Sequence, residues 1–222
     1  MDFPVLIVNL KSYKEAIGNK ALKFCRYASE LSTKHSINIK VAVNPVDLVK
    51  CSKFKDHILS QHVDVRNYGA YTGHIPLDLL IDLGISGSLL NHSEYKVKHG
   101  LIKEIVTYAN ERNFDIVVCV DSIDELKSLL NLGVKPAAYA IEPPELIGTG
   151  KSVSKYKPDT VIKAVKLGDK YDVDIICGAG VVNDEDVREA IKLGSKGVLV
   201  ASGIVKAKNP KRIMEEMALA MI

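Results

Sequence analysis

The sequence predicts an α/β protein, a single (β/α)8 barrel spanning residues 1–222 as one domain. Eight short apolar runs alternate with segments of helical periodicity at regular spacing. No linker or shift in composition interrupts the series. Glycine-rich turns follow the sixth, seventh and eighth runs. A doubly wound sheet would carry such a turn after its first strand, whereas a closed barrel builds its anion site from the last loops of its C-terminal face.

The first strand, Val5 to Asn9, is a continuous apolar run, as expected of a parallel strand buried on both faces. It leads into Leu10-Lys11, and alternation points Asn9 and Lys11 the same way. A helix follows from Lys20 to about Lys34, with Ala21, Phe24, Cys25, Ala28 and Leu31 on one stripe. Strand two is Ile39 to Val43. Asn44-Pro45 reads as a cap and first helical turn. Strand three, His57 to Gln61, opens a long loop over residues 62–75, and loops of that length usually have a use. A short helix from Pro76 to Leu83 is stopped by Gly84. Strand four, Gly87 to Leu90, ends in Asn91-His92-Ser93-Glu94, with a helix near Ile102 to Glu111. Strand five, Ile116 to Val120, precedes a capping box at Ser122 to Glu125. The helices between residues 76 and 135 read as short. Strand six, Ala137 to Ile141, delivers Glu142 to its C-terminal end, where two prolines stop it. A helix covers Pro158 to Lys170. Strand seven, Ile175 to Cys177, ends in Gly178-Ala179-Gly180, and Asn183 caps a helix through Leu193. Strand eight, Val198 to Val200, ends in Ala201-Ser202-Gly203. Asn209-Pro210 opens a last helix that runs to the C-terminus.

Composition excludes several classes. The hydrophobic fraction is 47% and the net charge only +3, with dispersed basic residues, so no nucleic-acid partner is indicated. No apolar run reaches the length of a membrane span, and the N-terminus lacks a basic region or cleavage signal. Cys25, Cys51, Cys119 and Cys177 show no CxxC spacing and read as buried thiols of a cytoplasmic protein. The scattered histidines offer no metal-ligand spacing, so no metal and no cofactor are expected.

In a barrel the C-terminal strand ends converge on one rim. That rim collects a carboxyl group (Glu142), an imidazole (His92), an ammonium group (Lys11) and two turns of backbone N–H groups at 178–180 and 201–203. Such N–H groups bind phosphate oxygens. Glu142 also begins a loop whose far side contains Gly148 and Gly150, so a carboxyl group stands at the fixed end of a segment that can close over a substrate. The chemistry that suits this set is proton abstraction beside the carbonyl of a small phosphorylated sugar. A carboxylate takes the proton, while an imidazole and an ammonium stabilise the enediolate oxygens.

Asn9-x-Lys11, Gly69-Ala70-Tyr71-Thr72-Gly73, Asn91-His92-Ser93-Glu94, Ile141-Glu142-Pro143, Ile147-Gly148-Thr149-Gly150 and the Gly180 and Ala201-Ser202 turns together resemble the triose-phosphate isomerase family, in order and over nearly the whole chain. The short length, the Glu-Pro-Pro-Glu-Leu-Ile-Gly-Thr-Gly loop and the Cys-Gly-Ala-Gly turn are similar to its archaeal branch. The resemblance implies a TIM barrel and cofactor-free interconversion of D-glyceraldehyde 3-phosphate and dihydroxyacetone phosphate, a step of glycolysis and gluconeogenesis. It implies Glu142 as base, His92 as electrophile, and Lys11 and Asn9 as substrate-binding groups. It further implies Glu94 as support, residues 143–151 as lid, and a phosphate site at Gly148, Gly180, Ala201 and Ser202 beside Ile147. Thr72 would belong to a loop entering a neighbouring subunit, giving a homodimer or homotetramer. That His92 works as a neutral ring at a helix N-terminus is a property carried over from the family, for which this enzyme is a standard example. Two departures stand out. Tyr95-Lys96 stand where the family commonly has two basic residues, so any ion pair made by the first is lost or replaced, and Glu145-Leu146 stand where many relatives have Trp.

Two other readings fit a barrel with this rim. An aldolase would need a Schiff-base lysine, for which Lys11 is the strand-end candidate. It leaves Glu142 and its loop without a role. A silent phosphate-binding scaffold would bind ligand without exchanging its α-protons with solvent.

Overall fold

The structure is a computed structural model that describes residues 1–64 and 67–222. Eight parallel strands close in chain order into a barrel, β1-β2-β3-β4-β5-β6-β7-β8, with β8 pairing back onto β1 from Val5↔Gly197 to Val8↔Val200. The strands are β1 (Val5–Asn9), β2 (Asn38–Val43), β3 (Ile58–Ser60), β4 (Gly87–Leu90), β5 (Asp115–Val120), β6 (Ala138–Ile141), β7 (Ile175–Cys177) and β8 (Gly197–Val200). Around them run α1 (Asn19–His35), α2 (Leu48–Cys51), α3 (Leu77–Asp82), α4 (His99–Asn110), α5 (Ile123–Asn131), α6 (Val153–Tyr156), α7 (Pro158–Tyr171), α8 (Asp184–Lys192), α9 (Ser202–Val205) and α10 (Pro210–Leu219).

Strand alternation divides the apolar residues into two layers. Val5, Ile7, Leu59, Leu89, Val117, Ala138, Ala140 and Ile176 fill the barrel interior, with Met1 and Phe3 packed at its floor. Leu6, Val8, Ile39, Val41, Ile116, Val118 and Tyr139 face outward onto the helices. Each buried branched or aromatic side chain contributes roughly 1.5–3 kcal/mol. The same alternation continues into function. Two residues beyond Ile7 is Asn9, and two beyond Ala140 is Glu142, so both side chains fall inside the top of the barrel.

The predicted stripe of α1 is buried as expected, and Asn44, Ser122, Asn183 and Asn209 accept the cap hydrogen bonds of the turns or helices they precede. Strand three is shorter than predicted, because His57 closes a 3-10 turn and Gln61 has left the ladder. It meets β4 at one pair, Ser60↔Ser88. α10 ends at Leu219, short of the C-terminus. α4 has 12 residues, an ordinary length, while α3 and α5 are short as predicted. Residues 65 and 66 of the predicted 62–75 loop lie outside the described residues. All four cysteines are free and buried. No helix among the described residues is long and apolar enough to cross a membrane.

Candidate active site

The rim brings Asn9, Lys11, His92, Glu142, Ile147, Gly148, Gly180, Ala201 and Ser202 to one cavity. Backbone strain marks the place. Of the six non-glycine residues with positive φ among the described residues, Ser36 and Asp172 are helix C-caps and Asn113 follows the end of α4. The other three, Lys11 (φ 48°), Asn91 (φ 60°) and Ala179 (φ 65°), stand at the tops of β1, β4 and β7. Strain gathered at strand ends is held by its surroundings and commonly serves a site.

Lys11 shows how. Its N–H donates to Asn9 Oδ1 at 3.0 Å, and its Nζ reaches Glu94 Oε1 at 2.8 Å. Gln61, a residue the sequence did not single out, donates Nε2 to Lys11 O, Ala42 O (both 3.1 Å) and Asn9 Oδ1 (3.3 Å). One amide thus fixes both the Asn9 side chain and the left-handed Lys11 turn. Only its position just past the C-terminal end of β3, on the rim, could have suggested this.

His92 is buried, and Glu94 N–H donates to its Nδ1 at 3.2 Å. A backbone amide can only donate, so in the neutral ring the proton lies on Nε2. Glu94 Oε2 also approaches Nδ1, at 3.5 Å. The shorter amide contact sets the tautomer, since Glu94 already takes the Lys11 ammonium. His92 Nε2 then faces Glu142 Oε2 across 3.7 Å. Glu142 is 5% exposed, and its Oε2 has no hydrogen-bond partner among the described residues. A buried acceptor without a partner is costly and is usually satisfied by what the site binds. Beneath it, burial and then the charge of Glu142 push the Cys119 thiol well above its ordinary range, so that thiol stays protonated.

Glu142 rests on the β7 turn. A Cβ on Gly178 would stand 2.3 Å from Glu142 Cγ, so only glycine leaves room for this side chain. The lid then folds over the cavity. Pro144–Leu146 form a 3-10 turn with Leu146 buried, Thr149 Oγ1 donates to Leu146 O (2.9 Å), and Ile147, Gly148 and Gly150 line the cavity roof. Leu146 anchors the loop, and Glu145 pairs with Lys157. The far end of the lid crosses Gly180 so closely that a Cβ there would lie 1.9 Å from Lys151 O.

Tyr95 and Lys96 make separate contacts. Tyr95 packs edge-on against His62, centroids 4.5 Å apart, and Lys96 binds both oxygens of Glu125 at 2.6 and 2.8 Å. Thr72 is exposed on its loop and does not line this cavity. A second hollow of about 180 Å3 adjoins the site on the other side of Lys11 and His92, walled by Pro45, Gln61, Glu94 and Tyr95. A larger hollow, about 730 Å3, lies between the 67–71 segment and α4, and none of Asn9, Lys11, His92 or Glu142 lines it. Volume therefore does not locate the site; the convergence of chemical groups does.

Fold and rim define a class, a (β/α)8 protein in which a carboxyl group, an imidazole and an ammonium group meet the glycine-rich turns after β7 and β8 beneath the 143–151 loop. The family model described as triosephosphate isomerase matches residues 4–217. The chain is 43% identical over 221 residues to the triosephosphate isomerase of Pyrobaculum islandicum, covering 98% of this chain and 96% of the relative. It is 37% identical over 225 residues to that of Methanothermus fervidus, covering all of both chains. It is 39% identical over 217 residues to that of Methanocaldococcus jannaschii, covering 96% and 98%. The chain belongs to the triosephosphate isomerase family.

Proposed function

We propose that this chain interconverts D-glyceraldehyde 3-phosphate and dihydroxyacetone phosphate through an enediolate. Glu142 Oε2 removes the proton from the carbon beside the carbonyl and returns it to the former carbonyl carbon, while the hydroxyl proton passes from one enediolate oxygen to the other by way of His92 Nε2, so atoms and charge balance within the substrate. His92 Nε2–H donates to the enediolate oxygens as charge develops there, and the Lys11 ammonium, held by Glu94, neutralises that charge. Asn9, fixed by Gln61, orients the sugar oxygens. The phosphate lies against Gly180, Ala201 and Ser202 beneath Ile147 and Gly148 of the lid, which excludes water. The observation that carries the reading is the buried, unpartnered Glu142 Oε2 directed at a nitrogen whose proton position is fixed.

The active form in this reading is a homodimer or homotetramer. Thr72 stands exposed on a loop too far round to serve its own site, and the hollow beside Lys11 and Glu94 would receive that loop from a second copy. Val46, Val49 and Tyr95, each more than 60% exposed, supply an apolar surround. Four free buried thiols suit a reducing cytoplasm.

The test is isomerisation of glyceraldehyde 3-phosphate by the purified protein, with Glu142→Gln beside it. Turnover should fall by roughly 10²–10⁴-fold in the variant while phosphate binding survives. Normal turnover in the variant would overturn the assignment of the base.

A further inference from the structure

The lid is fastened at its far end by a residue outside the reacting set. Asp186 lies in the first turn of α8, and only 3% of it is exposed. Its backbone N–H donates to the cap oxygen, Asn183 Oδ1 (2.9 Å), and its carboxylate Oδ2 accepts from a preceding amide, Val182 N–H, at 3.0 Å. Those two contacts alone would be a variant of the capping box. The other oxygen leaves the helix. Asp186 Oδ1 accepts from Ser152 Oγ at 3.0 Å and from Lys155 Nζ at 3.0 Å. Ser154 Oγ adds a bond to Asp186 O at 3.0 Å. Ser152 and Ser154 are each 1% exposed.

The two ends of this bridge have different surroundings. Ser152 directly follows Lys151, the residue that crosses Gly180. Val182 lines the cavity together with Gly180 and Val181. One carboxylate therefore joins the hinge of the lid to the turn that cradles the anion. A buried carboxylate must have its lone pairs met, so neither partner can leave without exposing or orphaning the charge. Movement of the turn and movement of the lid are tied through a part too small to flex.

We infer that Asp186 is a positioning residue that couples the lid to the phosphate-binding turn, so that anion binding at residues 180–182 is transmitted to the hinge at Ser152. The inference rests on the reading of that turn as the phosphate site. The coupling should be felt only by substrates that carry a phosphate, because binding energy from the remote group is what drives closure.

The experiment compares Asp186→Asn, Ser152→Ala and Ser152→Thr in the full chain. In the first two, kcat/KM for glyceraldehyde 3-phosphate should fall roughly tenfold, an ordinary size for coupling between sites. Isomerisation of unphosphorylated glyceraldehyde should not change, and Ser152→Thr, which keeps the hydroxyl, should restore the phosphorylated rate. Equal losses on both substrates, or no loss on either, would overturn the inference. Ser152→Ala leaves the Asp186 bonds to Val182 and Lys155 in place, so a folding defect in Asp186→Asn does not remove the test. A second readout is independent of turnover. Inorganic phosphate should slow tryptic cleavage after exposed Lys151 in the wild type, and less so in either tether variant even where phosphate still binds. Equal protection in all three would overturn the coupling. A wild type inactive on the phosphorylated triose would count against the proposed reaction, while the cleavage comparison would still decide about the tether.

Discussion

Gly178→Ala tests the position of Glu142 without altering Glu142. The added Cβ would lie 2.3 Å from Glu142 Cγ and 2.6 Å from both Cδ and Oε1. A normal non-bonded separation is about 3.5–4.0 Å, so the side chain must move by more than about 1 Å. The backbone at Gly178 is not left-handed, so alanine adds no strain of its own. The Glu142 side chain yields, because it borders a cavity while the β7 turn is held by Gly178 N–H donating to Ile141 O at 3.0 Å. Misplacing a reacting group by about 1 Å costs on the order of 100-fold in rate. The expected result is therefore a fall in kcat of roughly 100-fold. Swinging into the cavity relieves the overlap, so the cost in stability should stay below the roughly 1–3 kcal/mol of forced overpacking. The assay pairs steady-state isomerisation with calorimetric Tm and inorganic phosphate binding. Loss of turnover with phosphate binding retained and Tm lowered by only a few degrees supports the account. Full turnover would refute it, since the carboxyl group could not then be acting from where it lies.

Gly180→Ala should strike the lid instead. Its φ of 72° costs alanine about 1–2 kcal/mol, and the clash of a Cβ only 1.9 Å from Lys151 O adds about 1–3 kcal/mol borne only when the lid is packed, which predicts a loss of activity of roughly 5- to 150-fold. Gly133→Ala, at φ 73° with open space around it, should lose comparable stability and no activity, and equal activity losses in the two would contradict the lid contact. In acid, hydrogen bonds first from Lys34 and then from His35 hold Glu215 down to about 2. A depressed carboxylate stabilises the fold above its unfolded value of about 4.3 and loses that contribution as pH falls toward about 2. Tm of the wild type should therefore drop more steeply over that window than Tm of Glu215→Gln, and parallel curves would refute the pairing. All four thiols are buried, and burial pushes Cys177 up to about 12, so a thiol reagent should find no fast-reacting cysteine in the native protein and four after unfolding.

Much of this architecture was legible in the sequence because barrel strands announce themselves as apolar runs and their ends as sudden polarity. Asn9 and Glu142 follow such a run at once and His92 one residue later, and the structure brings them together. Gly148, Gly180, Ala201 and Ser202 were legible as turn chemistry. Parts held by long-range partners were not. Gln61 gathers acceptors from β1, the Lys11 turn and β2 with one amide, and nothing in its neighbourhood in sequence says so. Asp186 reads locally as a residue of a helix's first turn, yet its partners Ser152 and Lys155 lie more than thirty positions away. The replacement of a basic residue by Tyr95 announced a lost ion pair. That an aromatic contact with His62 takes its place depended on where the 62–64 segment runs. Strand three was overestimated at both ends because its polar flanks alternate like a strand but serve a 3-10 turn and the rim.

The central claim is that Glu142 exchanges a proton with the carbon beside the substrate's carbonyl. The most direct measurement is incorporation of deuterium from D2O into dihydroxyacetone phosphate and glyceraldehyde 3-phosphate, followed by proton NMR, for the wild type and Glu142→Gln. The account predicts rapid labelling, with the wild type, at the hydroxyl-bearing carbon beside the carbonyl in each triose. With the variant it predicts labelling slowed by orders of magnitude, phosphate binding being retained. Labelling at wild-type rate by Glu142→Gln would contradict it, because the base would then have to be another group.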